Sequence, residues 1–242
     1  MLHSDHLALH AATDRQLTSQ DPGGRMLLLS CGAALHHAQV ALTAEGWSFT
    51  VERPAGDPLA TIRPGQRGSI DPRAIRHFEQ LRIRHTDRRT LSNDPVGDDV
   101  LDRLAEETER HGARLHLLDG DQVIELAVLV EHAQAAQAAD EAGKEETAAW
   151  VGGDRPEGTG IPDANLPVEV PATTVAERDF GVGGTLEAGS GHDTAATYGV
   201  LYGNGDEPAD WLRAGEALSA LWLAATEHGA ALLPLSSPVE VP

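Results

Sequence analysis

Gly32-Ala33-Ala34-Leu35-His36-His37-Ala38-Gln39-Val40-Ala41-Leu42-Thr43-Ala44-Glu45-Gly46 and Gly215-Glu216-Ala217-Leu218-Ser219-Ala220-Leu221-Trp222-Leu223-Ala224-Ala225-Thr226-Glu227-His228-Gly229 lie 183 residues apart and agree at six of 15 positions. Each reads as a helix closed by a glycine that can take the left-handed capping conformation. Self-similarity on this scale points to a duplicated unit rather than a short solenoid repeat. The competing reading is two unrelated helices that share glycine and alanine because the chain is rich in both. Helices over 21–45 and 207–228 are expected to pack near the centre about a pseudo-twofold axis. Their small residues let the backbones approach, and Leu35, Leu42, Leu218 and Leu223 are expected to fill the seam.

A length of 242 residues allows one large domain or two small ones. The net charge is −20, and Lys144 is the lone lysine. So acidic a surface argues against general nucleic-acid binding, which depends on neutralising phosphates, and makes each arginine cluster informative. The single cysteine, Cys31, excludes an intrachain disulfide and reads as a small buried thiol. No apolar run approaches membrane-spanning length, and the most apolar one, 124–130, already holds Glu125. The N-terminus lacks the basic and apolar regions of a secretory signal, so the expected location is the cytoplasm.

Along the chain, a short strand at Leu7-Ala8-Leu9-His10 precedes Asp21-Pro22, which reads as the N-cap and first position of the first repeat helix. Trp47–Glu52 alternates like a strand. The proline- and glycine-rich run 53–72 marks the boundary between halves, dividing the chain into 1–62 and 63–242. Val100, Leu101, Leu104, Ala105 and Thr108 recur at helical spacing up to Gly112, with Asp98 and Asp99 in the first turn. A strand at Arg114-Leu115-His116-Leu117-Leu118 follows. A long helix over 121–142 then offers Ile124, Leu126, Ala127, Val130 and Ala133 to a buried face. The run 152–171 shows no period and reads as a lid, a binding loop or a disordered segment. Strand character returns over 194–201. Helices separated by sparse strands make the fold class α+β.

The sharpest chemical signal is Arg82-Ile83-Arg84-His85-Thr86-Asp87-Arg88-Arg89-Thr90, four arginines and two hydroxyls within nine residues. Arginine forks match phosphate oxygens bidentately and threonine adds a donor. A solvated, salt-bridged turn would also explain it. The histidines show no metal-ligand spacing, and the adjacent His36 and His37 point to different helix faces. Gly181-Val182-Gly183-Gly184 does not match a phosphate-cradling loop, and no nucleophile elbow or triad is present. Pro234-Leu235-Ser236-Ser237-Pro238 forms a turn able to present N–H groups and hydroxyls to a planar ligand, or an ordinary loop.

Taken in order, these pieces resemble the FMN-binding nitroreductase superfamily, and within it the actinobacterial Acg-type branch in which two nitroreductase-like halves are fused. The resemblance is carried by Asp21-Pro22-Gly23-Gly24-Arg25 running into Ser30-Cys31-Gly32-Ala33-Ala34-Leu35-His36, Gly56-Asp57-Pro58-Leu59-Ala60-Thr61-Ile62, Arg84-His85-Thr86-Asp87-Arg88-Arg89, Gly160-Ile161-Pro162, Ala214-Gly215-Glu216-Ala217-Leu218-Ser219 and Pro234-Leu235-Ser236-Ser237-Pro238-Val239-Glu240-Val241-Pro242. It implies FMN in the groove between the halves, with Arg84, Thr86 and either Arg88 or Arg89 on its phosphate. It also places the turn of Pro234, Leu235, Ser236 and Ser237 near the flavin ring, where a backbone N–H tunes hydride acceptance.

Two departures from the family pattern stand out: the sequence begins after the usual Asn-x-Gln-Pro-Trp-like segment and stops before the usual C-terminal arm. The resemblance therefore implies weak FMN binding or none, and an incompletely covered groove. Three function classes follow. The first is an FMN-dependent oxidoreductase using NAD(P)H and passing hydride or electrons to a nitro or quinone-like acceptor. The second is a flavin-sequestering or stress-related binding protein with little turnover. The third is an interaction scaffold without flavin. No side chain is singled out as catalytic. The expected partners are flavin and a small acceptor, without nucleic acid or membrane, in a monomer with pseudo-dimeric halves or a homodimer.

Overall fold

Helix α1 (Arg25–Ala44) and helix α6 (Pro208–Glu227) cross at the two glycines that open the repeated stretches. They belong to a computed structural model that describes residues 5–89, 93–154, 159–187, 189 and 193–241. His3 near the N-terminus, Thr90 at the end of the arginine cluster, residues 155–158 of the glycine- and proline-rich run, and Pro242 lie outside the described residues. A Cβ added to Gly32 would stand 2.0 Å from the Leu212 carbonyl oxygen, and one on Gly215 1.9 Å from that of Leu29. Each glycine thus faces the carbonyl three positions before the other, and the contact is reciprocal. One turn further along, His36 Nδ1 lies 2.9 Å from Ser219 Oγ, again at matching positions of the two stretches.

The helix ends follow local chemistry with one shift. Gly46 and Gly229 close the helices at φ +79° and +73°, the left-handed conformation expected of them. Helix α1 begins at Arg25 rather than at Asp21-Pro22, because 21–24 form a turn that ends on Gly24 at φ +69°. Asp21 still acts as a cap: its buried carboxylate accepts the Leu27 N–H at 2.9 Å. Helix α6 opens on a reciprocal pair between Glu207 and Asp210, with Pro208 in its first turn.

Strands β1 (Leu7–Leu9), β2 (Trp47–Glu52) and β3 (Ala60–Arg67) form an antiparallel sheet in the order β1-β3-β2. The middle strand lies inside the run that reads as a connecting segment, since Pro64 and Gly65 disguise it. Pro64 has no N–H to donate and sits opposite Phe49 where the register slips. Ser48 bridges the irregularity, its hydroxyl accepting from the Gln66 N–H at 3.0 Å and donating to the Gln66 carbonyl at 3.1 Å. Ala60 and Ile62 pack on Cys31, Leu35 and Leu212, with Phe49, Val51 and Leu42 completing this core. Burial raises the Cys31 pKa, in keeping with a packed thiol.

On the other side of α6, α2 (Pro72–Ile83) and α3 (Asp98–Arg110) close the seam, and α3 leads into β4 (Arg114–Leu117), which pairs antiparallel with β5 (Gly199–Tyr202). Leu104, Leu221 and Ala225 form the second core. The helix expected over 121–142 is two helices, α4 (Gly120–Ala139) and α5 (Glu141–Trp150). Asp140 ends the first and caps the second by accepting the Ala142 N–H at 3.2 Å. Of its expected buried face, Val130 and Ala133 are buried, whereas Ile124 is 62 % exposed. The long irregular stretch is packed in its described part: bridges join Val151 to Ile161 and Pro167 to Leu186, and Leu166 and Val175 are buried. The short helix α7 (Ser237–Glu240) rests on α4. Helices with two small sheets make the architecture α+β. Among the described residues one helix, α1, is long and apolar enough to cross a membrane by length and composition, so one apolar run does reach that length. Here it packs along α6 in the seam.

The seam predicts two responses. Alanine at Gly32 or Gly215 places a methyl group on backbone that cannot rotate away, and should cost about 3 kcal/mol, the upper end of overpacking. Alanine at Gly120, where a Cβ would meet nothing within 4 Å, should cost nothing measurable, and urea denaturation of the three variants checks the contrast.

The second response concerns His36, which is buried beside His111 and His77 at ring-centroid distances of 4.8 and 6.4 Å. Burial, reinforced by His111, His77 and His37, pushes its pKa from 6.5 down to about 3. Between those values the unfolded chain binds a proton that the folded chain excludes, so stability falls as the pH drops from about 6.5 towards 3. Thermal melts across that range should show this acid limb, and His36→Gln should make it shallower.

Candidate functional site

The arginine segment begins where α2 ends. Asp71 caps that helix by accepting the Arg73 N–H at 2.9 Å, Pro72 fixes its first turn, and Arg84 leaves it in extended backbone. The charges of the segment then separate in space. Arg89 turns back onto Asp87, with Nε and one terminal nitrogen donating to the carboxylate at 2.8 and 2.6 Å. Hydrogen bonding to Arg89 holds Asp87 below the usual carboxylate range. Arg84 instead lies over the Trp222 ring of α6, 4.9 Å from its centroid, and Arg88 lies over Phe180 at 5.6 Å. Arg88 also reaches the Asn165 carbonyl at 3.4 Å. Thr86, between them, is half-buried.

Four arginines among the described residues are half-buried: Arg53, Arg84, Arg88 and Arg178. Two are neutralised, Arg53 by the buried Glu216 at 2.7 Å and Arg178 by Glu240. Arg84 and Arg88 have no carboxylate within ion-pair distance among the described residues, and burial lowers the pKa of both. In a chain of net charge −20, two half-buried cations without a carboxylate partner are a departure from the general pattern of compensated charge. Near Arg88 lies Glu177, only 8 % exposed, whose pKa burial raises to about 7.

The turn of Pro234, Leu235, Ser236 and Ser237 follows α6 and runs directly into α7. Pro234 is exposed, Leu235 and Ser236 are half-buried and Ser237 is buried. Its position is fixed through Glu240, which accepts from Gln137 of α4 at 2.7 Å and pairs with Arg178. The two candidate segments therefore meet the same stretch, Arg88 through Phe180 and α7 through Arg178. No hydrogen bond or ion pair joins 84–89 directly to 234–237 among the described residues. A surface pocket of about 280 Å³ lies along this stretch, walled by Leu166, Val168, Phe180 and Val182 with Arg178 at its edge.

Sequence reading missed the histidines. His36, His77 and His111 line a second cavity of about 200 Å³ with Gln39, Val40 and Phe49. His77 contacts Glu227 at 3.4 Å, and His111 contacts Glu107, whose pKa is drawn down to about 2 by its hydrogen bonds and charge interactions with His111 and Arg110. The spacing of Glu107 and His111 on one helix was the one local signal; their meeting with His36 is tertiary. No group of three or more metal-ligating side chains stands in binding geometry among the described residues.

No family model matches the chain. Proteins of Mycobacterium tuberculosis align with nearly all of it. "Putative NAD(P)H nitroreductase Rv3131" is 33 % identical over 246 residues, which cover 97 % of this chain and 69 % of that protein. "Putative NAD(P)H nitroreductase acg" is 31 % identical over 98 % of this chain and 73 % of its own length. "Uncharacterized protein Rv3127" is 26 % identical over 98 % of this chain and 71 % of its own length. Identity above 30 % over almost the whole chain and more than two thirds of two relatives agrees with the α+β architecture, and the chain belongs to the nitroreductase family.

Proposed function

We propose that this chain is an FMN-dependent oxidoreductase of nitroreductase type, with NAD(P)H as reductant and a nitro or quinone-like compound as acceptor. The observation that carries the proposal is the pair of half-buried, uncompensated arginines on a segment that matches the family's phosphate-binding pattern. Arg84, Thr86 and Arg88 would hold the ribityl phosphate. Arg88 is preferred to Arg89 because Asp87 already neutralises the latter. The turn of Pro234–Ser237 would offer backbone N–H groups to the flavin ring. When bound, the flavin supplies the redox chemistry; the protein contributes binding, orientation and exclusion of water.

We further read the chain as two fused halves, the first partial (1–62) and the second 63–242, as in the Acg-type branch. The reciprocal glycine contact between α1 and α6 supports this reading. A second function, flavin sequestration with little turnover, is favoured by the packed stretch 159–187, which seats Phe180 under Arg88. Stopped-flow reduction by NADH or NADPH separates the two, since a sequestering protein keeps its flavin oxidised.

The site assignment makes a graded prediction. Arg84→Ala and Arg88→Ala should each weaken FMN retention by about 1.5–3 kcal/mol, the worth of a charge-assisted hydrogen bond, or roughly 10- to 150-fold in Kd. Arg89→Ala should change it by less than about threefold, because an exposed pair contributes little. Flavin absorbance near 450 nm after equilibrium dialysis measures all three. Equal losses in the three variants would reject the choice of Arg88, and no loss in any would move the site elsewhere.

A further inference from the structure

We propose that His36, His77 and His111 bind a divalent transition-metal ion of the zinc type, with the cavity they line leaving room for water as a further ligand. The three imidazoles reach one space of about 200 Å³, from α1, from α2 and from the residue that follows α3. The other polar side chains of that wall are already engaged. Gln39 donates to Glu216 at 2.6 Å, and the Thr43 hydroxyl donates to the Gln39 carbonyl at 2.9 Å. Val40, Phe49 and Ala74 make up the rest.

Each ring is held from behind by one nitrogen. His36 Nδ1 lies 2.9 Å from Ser219 Oγ, His77 Nδ1 3.4 Å from Glu227, and His111 Nε2 3.7 Å from Glu107. The opposite nitrogens, His36 Nε2, His77 Nε2 and His111 Nδ1, make no hydrogen bond or ion pair among the described residues. A carboxylate only accepts, so a neutral His77 or His111 keeps its hydrogen on the nitrogen that faces the glutamate and leaves a lone pair on the other. Imidazoles oriented by a carboxylate on one nitrogen and bare on the other are the arrangement that binds zinc. Lone pairs disfavour an anion as occupant. Nitrogen ligands select zinc, nickel or copper over magnesium and calcium, which take oxygen.

The spacing is close to what such an ion needs. Two imidazoles on a tetrahedral zinc, with Zn–N near 2.0–2.1 Å, stand with their ring centroids about 5 Å apart. The His36 ring is 4.8 Å from that of His111 and 6.4 Å from that of His77, at interplanar angles of 83° and 78°. As the side chains stand, no three ligands among the described residues meet around one point. His36 is buried in the seam, whereas His77 and His111 are half-buried at the lip of the cavity. Closing the remaining gap of roughly 1–1.5 Å therefore falls to His77. The bound ion would tie α1, α2 and the end of α3 together beside α6.

The test is titration of the metal-stripped full chain with zinc near neutral pH. Equilibrium dialysis should find one tightly held ion per chain. Zinc about 100-fold above its Kd should raise the melting temperature by about 5–10 °C, and magnesium should leave it unchanged. His77→Gln and His111→Gln, checked for folding by circular dichroism, should each weaken zinc binding by at least about 10- to 100-fold. His116→Gln with His132→Gln, both exposed and distant from the cavity lining, should not change it. Cobalt(II) on the wild-type chain should give the intense visible bands of a tetrahedral nitrogen site, a readout that needs no variant. Absence of stoichiometric zinc binding, or the weak bands of octahedral cobalt, would overturn the site. Zinc affinity unchanged by His77→Gln and His111→Gln, or lost with the His116 and His132 substitutions, would assign the binding to surface histidines and overturn it too.

Discussion

The structure is organised around one constraint: two helices touch backbone to backbone at Gly32 and Gly215. Because no side chain can separate α1 from α6 at that point, the bulky residues lie on either flank. Leu35 and Leu212 meet the three-stranded sheet, while Leu221 and Ala225 meet α3. The polar groups drawn into the seam then need partners within it. His36 finds Ser219, and Glu216, 2 % exposed, is held by Nε and one terminal nitrogen of Arg53 and by Gln39 at 2.6 Å. Such a pair adds little net stability over an apolar replacement. Losing one partner leaves a buried charge, which ties the end of β2 to α6 with a defined geometry.

The same logic separates structural from functional charge. Most arginines here lie on the surface, where ion pairs are weak and screened. The half-buried ones are more discriminating, since desolvation demands compensation. Arg53 and Arg178 have it from carboxylates, whereas among the described residues Arg84 has the face of Trp222, and Arg88 the face of Phe180 and the Asn165 carbonyl. An aromatic face orients a guanidinium without using up its N–H donors. Trp222 sits on α6, so the position of Arg84 depends on the helix crossing.

Much of the framework follows from short-range pattern. The repeated helices, their closing glycines, the strand Trp47–Glu52, the helix over Asp98–Arg110 and the strand after it are all set by periodicity, capping and turn chemistry within a few residues. The misreadings have local causes too. Pro64 and Gly65 hide β3 because a bulge and the Ser48 hydroxyl replace the missing ladder bonds. Asp140 divides the expected long helix because its side chain caps the next one, a choice that helix propensity alone does not make.

By itself, then, the sequence determined where most of the helices and strands form, and that an arginine-rich segment at the end of α2 is the chain's concentrated positive charge. Backbone hydrogen bonding and local periodicity are short-range, so they can be read along the chain. Only the tertiary structure decided which of the segment's arginines meet a carboxylate and which meet an aromatic face. Asp87 and Arg89 neutralise each other two residues apart, whereas Arg84 and Arg88 are defined by Trp222 and Phe180, far away in sequence. It also gathered His36, His77 and His111 around one cavity. Charge compensation and desolvation depend on which elements are neighbours in space, and no local pattern encodes that.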